Sequence, residues 1–272
     1  MTRRNFAAQR SHYLVSGLLL ILISFVAGRV TLSAQPVDTT LTGDDNPRRA
    51  AIHNQQGLAL VKDGALSEAV ESFQRAIDLH PAFADAYYNL GATYNALERP
   101  QEAVGVLQIA LSIKPNDAEA YCVLGLTYRK LRQHSAALSA YQRAISLRPR
   151  FAEAHNGIGL AHRALGRHAQ AAEAFQKAID IEPLYAIAYN NLGVEQTDLR
   201  QYAKAVTAFQ QALAINHEYA EAHFNLGVLY LRHRKHEKAV AQWLTLKRLD
   251  QNLAKQLYAG IYQGRILDAT GK

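Results

Sequence analysis

A period of 34 residues runs through this chain and limits what it can fold into more than any other feature. Gly57, Gly91, Gly125, Gly159, Gly193 and Gly227 stand one period apart. So do Ala69, Ala103, Ala137, Ala171, Ala205 and Ala239, and so do Phe73, Leu107, Tyr141, Phe175, Phe209 and Trp243. A fourth series, Ala76, Ala110, Ala144, Ala178 and Ala212, is broken by Leu246. A fifth, Pro81, Pro115, Pro149 and Pro183, departs at His217 and Gln251. Several independent series sharing one period mark a stacked-repeat architecture.

The content of one period reads as two helices. In the unit at 152–185, Glu153–Leu165 and Ala169–Ile181 are apolar-periodic stretches separated by a break at Gly166-Arg167. Gly166 suits a left-handed helix end, and Pro100, in the break two periods earlier, suits the first turn of a following helix. The prolines at 81, 115, 149 and 183 are expected to end each second helix. Hydrophobic residues make up 49% of the chain and there are only 7 prolines, a balance that favours buried helices over sheet. The recurring glycines and alanines let two helix backbones approach closely, and the aromatics fill the wider gaps. One such hairpin cannot bury both of its apolar faces, so neighbours must stack.

The order of residue types within a period resembles the tetratricopeptide repeat (TPR) family. Tyr87, Leu90-Gly91, Tyr94, Ala103, Leu107, Ala110 and Pro115 carry the resemblance in the second unit. Six repeats fit, at 50–83, 84–117, 118–151, 152–185, 186–219 and 220–253. The resemblance implies an all-α, right-handed α-solenoid whose first helices line a concave groove. The first repeat is degenerate, with His53 and Leu60 at the usual aromatic positions. Leu253, Leu257 and Ile261 recur at four-residue spacing, which predicts a capping helix over 254–264, then a frayed tail at 265–272.

In this family, side chains on the first helices contact peptides. The sixth position of each repeat holds Gln55, Asn89, Val123, Gly157, Asn191 and Asn225, with Asn156 and Asn190 one residue earlier. An asparagine amide donates to a backbone carbonyl and accepts from a backbone N–H, so amides at this pitch would grip an extended peptide with little regard to its sequence. The arrangement is similar to the TPR region of O-linked N-acetylglucosamine transferase, although Val123 and Gly157 interrupt it. Arg129 and Arg163, one period apart, and Lys130 join these residues as candidates for pairing with acidic groups on a partner; Lys62 and Arg232 share the register of Lys130. The family's clamp for a C-terminal carboxylate is not expected, because Asn54 and Leu58 occupy its positions.

The N-terminus predicts export. Arg3, Arg4 and Arg10 precede Tyr13–Gly28, an uncharged and mostly apolar run, and Leu32-Ser33-Ala34 offers small residues for cleavage before Gln35. An uncleaved anchor is the rival expectation. Sixteen helical residues span only about 24 Å of a hydrocarbon core of about 30 Å, but Arg29 and the residues to Ala34 could extend the run. Either reading places the remaining chain outside the cytoplasm, periplasmic or secreted. Residues 35–49 read as a flexible linker. Four of the seven excess positive charges lie within the first 34 residues. The mild surplus that remains is a poor argument for a nucleic-acid partner.

Catalytic chemistry is not expected. Cys122 is the only cysteine, which excludes an intramolecular disulfide, a cysteine metal cluster and a lipidated anchor. No nucleophile elbow, phosphate loop or dinucleotide fingerprint occurs, and none of the eleven histidines has a carboxylate placed by spacing to complete a metal site. With no cofactor, no metal and little chain after the sixth repeat, the expected role is a scaffold binding an extended peptide or partner protein, for assembly of an envelope or secreted complex. The alternative is an accessory, substrate-recruiting subunit of a glycan- or lipid-handling enzyme or transport machine.

Overall fold

The computed structural model describes residues 45–263. The expected signal or anchor segment, most of the linker and the tail lie outside the described residues. Among the described residues, no helix is long and apolar enough to cross a membrane.

The chain divides at Leu147/Arg148 into two units. In the first, three antiparallel helix pairs follow one another: α1 (Asn46–Lys62) with α2 (Leu66–Leu79), α3 (Ala84–Ala96) with α4 (Pro100–Ile113), and α5 (Ala118–Lys130) with α6 (His134–Leu147). The second unit pairs α7 (Ala152–Ala164) with α8 (His168–Ile181), α9 (Ala186–Asp198) with α10 (Tyr202–Ile215), and α11 (Ala220–Arg232) with α12 (His236–Leu249). Helix α13 (Gln251–Gln263) closes the second unit against α11 and α12. Each unit is an all-α solenoid segment of helix-turn-helix repeats. α1 begins inside the stretch expected to be linker, with Pro47 in its first turn, where a missing N–H leaves no helix bond unmade.

The periodic glycines set the spacing within each pair. A Cβ placed on Gly57 would lie 2.5 Å from the Phe73 ring, and one on Gly159 would lie 2.5 Å from that of Phe175. Gly91 receives Leu107, Gly125 receives Tyr141 and Gly193 receives Phe209 in the same manner. In the first five pairs the second helix thus inserts one large side chain into a slot that exists because the first helix has no side chain there. The alanine series at 69, 103, 137, 171, 205 and 239 is wholly buried as a consequence.

The turns within pairs repeat as well. Gly64, Glu98, Arg132, Gly166, Arg200 and Arg234 all have φ between +55° and +77°, at 34-residue intervals. At each turn the next N–H reaches back to a helix carbonyl, as in Ala65 N–H to Leu60 O at 2.9 Å and Arg167 N–H to His162 O at 2.9 Å. This is the Schellman ending. Four of the six turns hold a residue other than glycine in the left-handed region.

The second helices stop two residues before each proline, at Leu79, Ile113, Leu147 and Ile181. They stop at the same register, Ile215 and Leu249, where the prolines are absent. Asn216 and Asp250 stand just after those ends, and their side chains take up N–H groups of the chain that follows. Asn216 Oδ1 accepts from Glu218 N–H at 3.0 Å, and Asp250 Oδ1 accepts from Asn252 and Leu253 N–H at 2.7 and 3.0 Å.

Replacing Gly159 by Ala should lower stability by about 1–3 kcal/mol, because the aromatic ring of Phe175 has to move. Gly105→Ala, on the second helix α4 where an added Cβ meets nothing within 4 Å, should raise it by about 1 kcal/mol through helix propensity. Urea unfolding followed by circular dichroism measures both. Shifts of the same sign would contradict the slot.

Candidate peptide-binding face

Within each unit the first helices lie side by side, and a seam of polar side chains joins them. Asn89 on α3 donates from Nδ2 to Oδ1 of Asn54 on α1 at 2.9 Å. Asn191 on α9 donates to Asn156 on α7 at 2.9 Å, and Asn225 on α11 donates to Asn190 on α9 at 3.0 Å. All six amides are 6–9% exposed. Between α3 and α5, where Val123 removes the amide, Asn95 Nδ2 donates instead to Thr127 Oγ1 at 2.7 Å, and Thr127 donates to the Val123 carbonyl at 2.7 Å. An asparagine amide has two N–H bonds and a carbonyl with two lone pairs. The donor asparagine of each pair spends one N–H on its neighbour. Its other N–H and its carbonyl are what it has for a further partner, except that Asn191 Oδ1 also accepts from Arg163 Nη1 at 3.3 Å.

The basic candidates have partners of their own. Lys130 Nζ donates to the Asn95 carbonyl at 2.7 Å and to Glu98 Oε1 at 2.8 Å, and its side chain is only 11% exposed. Arg163 donates from Nε to Glu195 Oε1 and from Nη2 to the Asn191 carbonyl at 2.8 Å, and its guanidinium lies over the Phe175 ring. Arg129 is half-buried beside Tyr141, its Nε buried without an acceptor, and burial pushes the Tyr141 phenol up. Gln55 is exposed on α1. Asn54, a position of the unexpected carboxylate clamp, is a seam residue, and Cys122 is buried on α5.

Two features of this face were not foreseen. The asparagines pair with each other across neighbouring helices rather than standing apart, because the donor of one repeat falls beside the preceding position of the repeat before it. And Glu195, fully buried, accepts from Arg163 on one oxygen while its other lies 2.9 Å from His168 Nδ1. Asp198 Oδ2 is 3.8 Å from the same nitrogen. Sequence spacing placed no carboxylate to complete a site with a histidine, and these contacts come from the fold: a turn of α9 brings two carboxylates to the start of α8. The signal was present in the register, where Ala59, Thr93, Thr127, Ala161 and Leu229 occupy the position that Glu195 holds.

Stacked helix pairs with a polar seam along their first helices define a repeat scaffold for protein–protein interaction. Family models described as tetratricopeptide repeat match residues 82–150 and 122–186, and one described as TPR repeat matches 57–98 and 197–233. The chain belongs to the tetratricopeptide repeat family. It is similar to uncharacterized protein MJ0572 of Methanocaldococcus jannaschii, 32% identical over 59 residues, which cover 22% of this chain and 69% of that protein. Among solved structures it resembles MamA, with 29% identity and a TM-score of 0.54 over 60% of this chain and 96% of that one. It also resembles YrrB, described as a TPR protein with an unusual peptide-binding site, with 25% identity and a TM-score of 0.53 over 71% and 95%.

Asn191→Ala removes the partner of Asn156 Oδ1 and of Arg163 Nη1 together, so it should lower stability by about 1–3 kcal/mol. Gln55→Ala, on an exposed position of α1, should change it by no more than about 0.5 kcal/mol. Thermal unfolding of the two variants side by side is the check, and equal effects would show that the seam carries no stability.

Proposed function

We propose that this protein is a non-catalytic docking scaffold that holds an extended segment of a partner protein against the first-helix face of its repeats. The carrying observation is the seam of paired asparagines. Each amide is fixed by its neighbour before any ligand arrives, so little side-chain freedom is left to lose on binding. An extended backbone alternates donors and acceptors, which is the complement of amides that retain one of each. That YrrB, a relative of this chain, is described as having a peptide-binding site supports the reading. The basic side chains along the face, Arg129 above all, would favour segments carrying acidic groups.

The N-terminal sequence favours work outside the cytoplasm. Three arginines ahead of an uncharged apolar run, with small residues following it, are the composition of an export signal or a membrane anchor. A scaffold delivered there would serve the assembly of an envelope or secreted complex.

Photo-crosslinking tests the face directly. A benzophenone amino acid at Gln55 or Arg232, on first helices, is expected to capture the partner in its native membrane or secreted fraction. The same probe at Arg75 or Gln210, exposed on second helices, is expected to capture little. Capture from the second-helix positions alone would move the binding face and overturn the proposal. The mass of the mature protein decides between cleavage and anchoring: a start at Gln35 means the signal is removed.

A further inference from the structure

We propose that His168, Glu195 and Asp198 form a binding site for a single divalent metal ion of the zinc class. His168 is the first residue of α8, and Glu195 and Asp198 lie one turn apart on the same face of α9. Their ligand atoms, His168 Nδ1, one oxygen of Glu195 and one of Asp198, all lie within 4.8 Å of one another. The two separations from the histidine nitrogen are 2.9 Å to Glu195 Oε2 and 3.8 Å to Asp198 Oδ2. Ligands at about 2.0–2.2 Å from a tetrahedral zinc stand about 3.3–3.6 Å from each other. The observed separations fall on either side of that value, so small side-chain adjustments would seat the ion.

The surroundings of the three ligands suit a cation. Arg163 occupies Glu195 Oε1 and leaves Oε2 facing the histidine, the kind of outer contact that orients a metal-binding carboxylate. Glu195 is fully buried, whereas the His168 and Asp198 side chains are 40% and 25% exposed, so an ion has a path from solvent. The repeat architecture itself does not call for the carboxylate: at the register of Glu195 the other five repeats hold alanine, threonine or leucine. The competing account is an Arg163–Glu195–His168 ion-pair network with no metal.

Calorimetric titration of the full chain, purified without a polyhistidine tag, with zinc chloride distinguishes these accounts. One saturable equivalent is expected, and cobalt(II) in its place should show the intense visible absorption of a low-coordinate site. Asp198→Asn, a change at a part-exposed position, should weaken zinc binding by about 10- to 100-fold without loss of helicity. His168→Ala should abolish the equivalent and the cobalt spectrum, whereas His155→Ala should leave both intact. Absence of a stoichiometric equivalent, or an equivalent indifferent to His168 and Asp198, would overturn the proposal and leave the histidine a member of the ion-pair network.

Discussion

The close approach of each first-helix glycine to a large side chain on its partner is the contact from which the rest of the architecture follows. At Gly57, Gly91, Gly125, Gly159 and Gly193 an added Cβ would come within 2.5–2.8 Å of the inserted side chain, inside any normal carbon contact. With the backbones held that near, only alanine fits the flanking columns, and those alanines are buried completely. The sixth repeat tests the rule, because Trp243 stands where a phenylalanine would insert. The slot at Gly227 is filled instead by Leu257 of α13, at 2.5 Å, and the indole packs outside it against Tyr258 and Tyr262. The closing helix therefore completes the last pair as well as covering it.

Much of this was readable from residue order. The slot, the alanine columns and the paired helices follow from which residue types recur at 34, and the left-handed turn at Gly166 follows from a glycine at a helix end. The turns at Glu98, Arg132, Arg200 and Arg234 were not readable, because nothing in those side chains favours φ above zero. There the Schellman hydrogen bonds and the packing of the two helices impose a conformation that costs about 1–2 kcal/mol for a residue with a Cβ. Prolines were an incomplete guide to the ends of second helices for the opposite reason. They mark a stop that the backbone makes in any case, at Ile215 and Leu249 as at the proline-marked ends.

The polar seam escaped for a geometric reason. Comparing repeats at one register aligns Asn89, Asn191 and Asn225, but their partners Asn54, Asn156 and Asn190 sit one register earlier, at a separation of 35 residues. A search at the repeat period sees two columns of amides and no bond between them. Glu195 is the same lesson in a single residue. Read along the chain it is one acid among many, whereas set against Thr93, Thr127 and Leu229 it is a carboxylate in a buried column, and a buried carboxylate needs partners. Arg163 and His168, drawn from the two preceding helices, are those partners.

The seam also constrains how a scaffold of this kind can discriminate. On the proposed reading, amides held at one repeat pitch would recognise backbone, which every peptide has, and so would supply affinity without choosing a sequence. Choice has to come from positions where repeats differ. In the first unit Arg129 has a buried Nε without an acceptor, while in the second Arg163, one period on, is already neutralised by Glu195. Two arginines that look equivalent in the sequence thus differ in their surroundings, Arg129 beside Tyr141 and Arg163 against a buried carboxylate. On the proposed reading, an acidic residue in the guest would be drawn to α5 and not to α7, which would fix the direction and register in which an otherwise featureless backbone lies on the face.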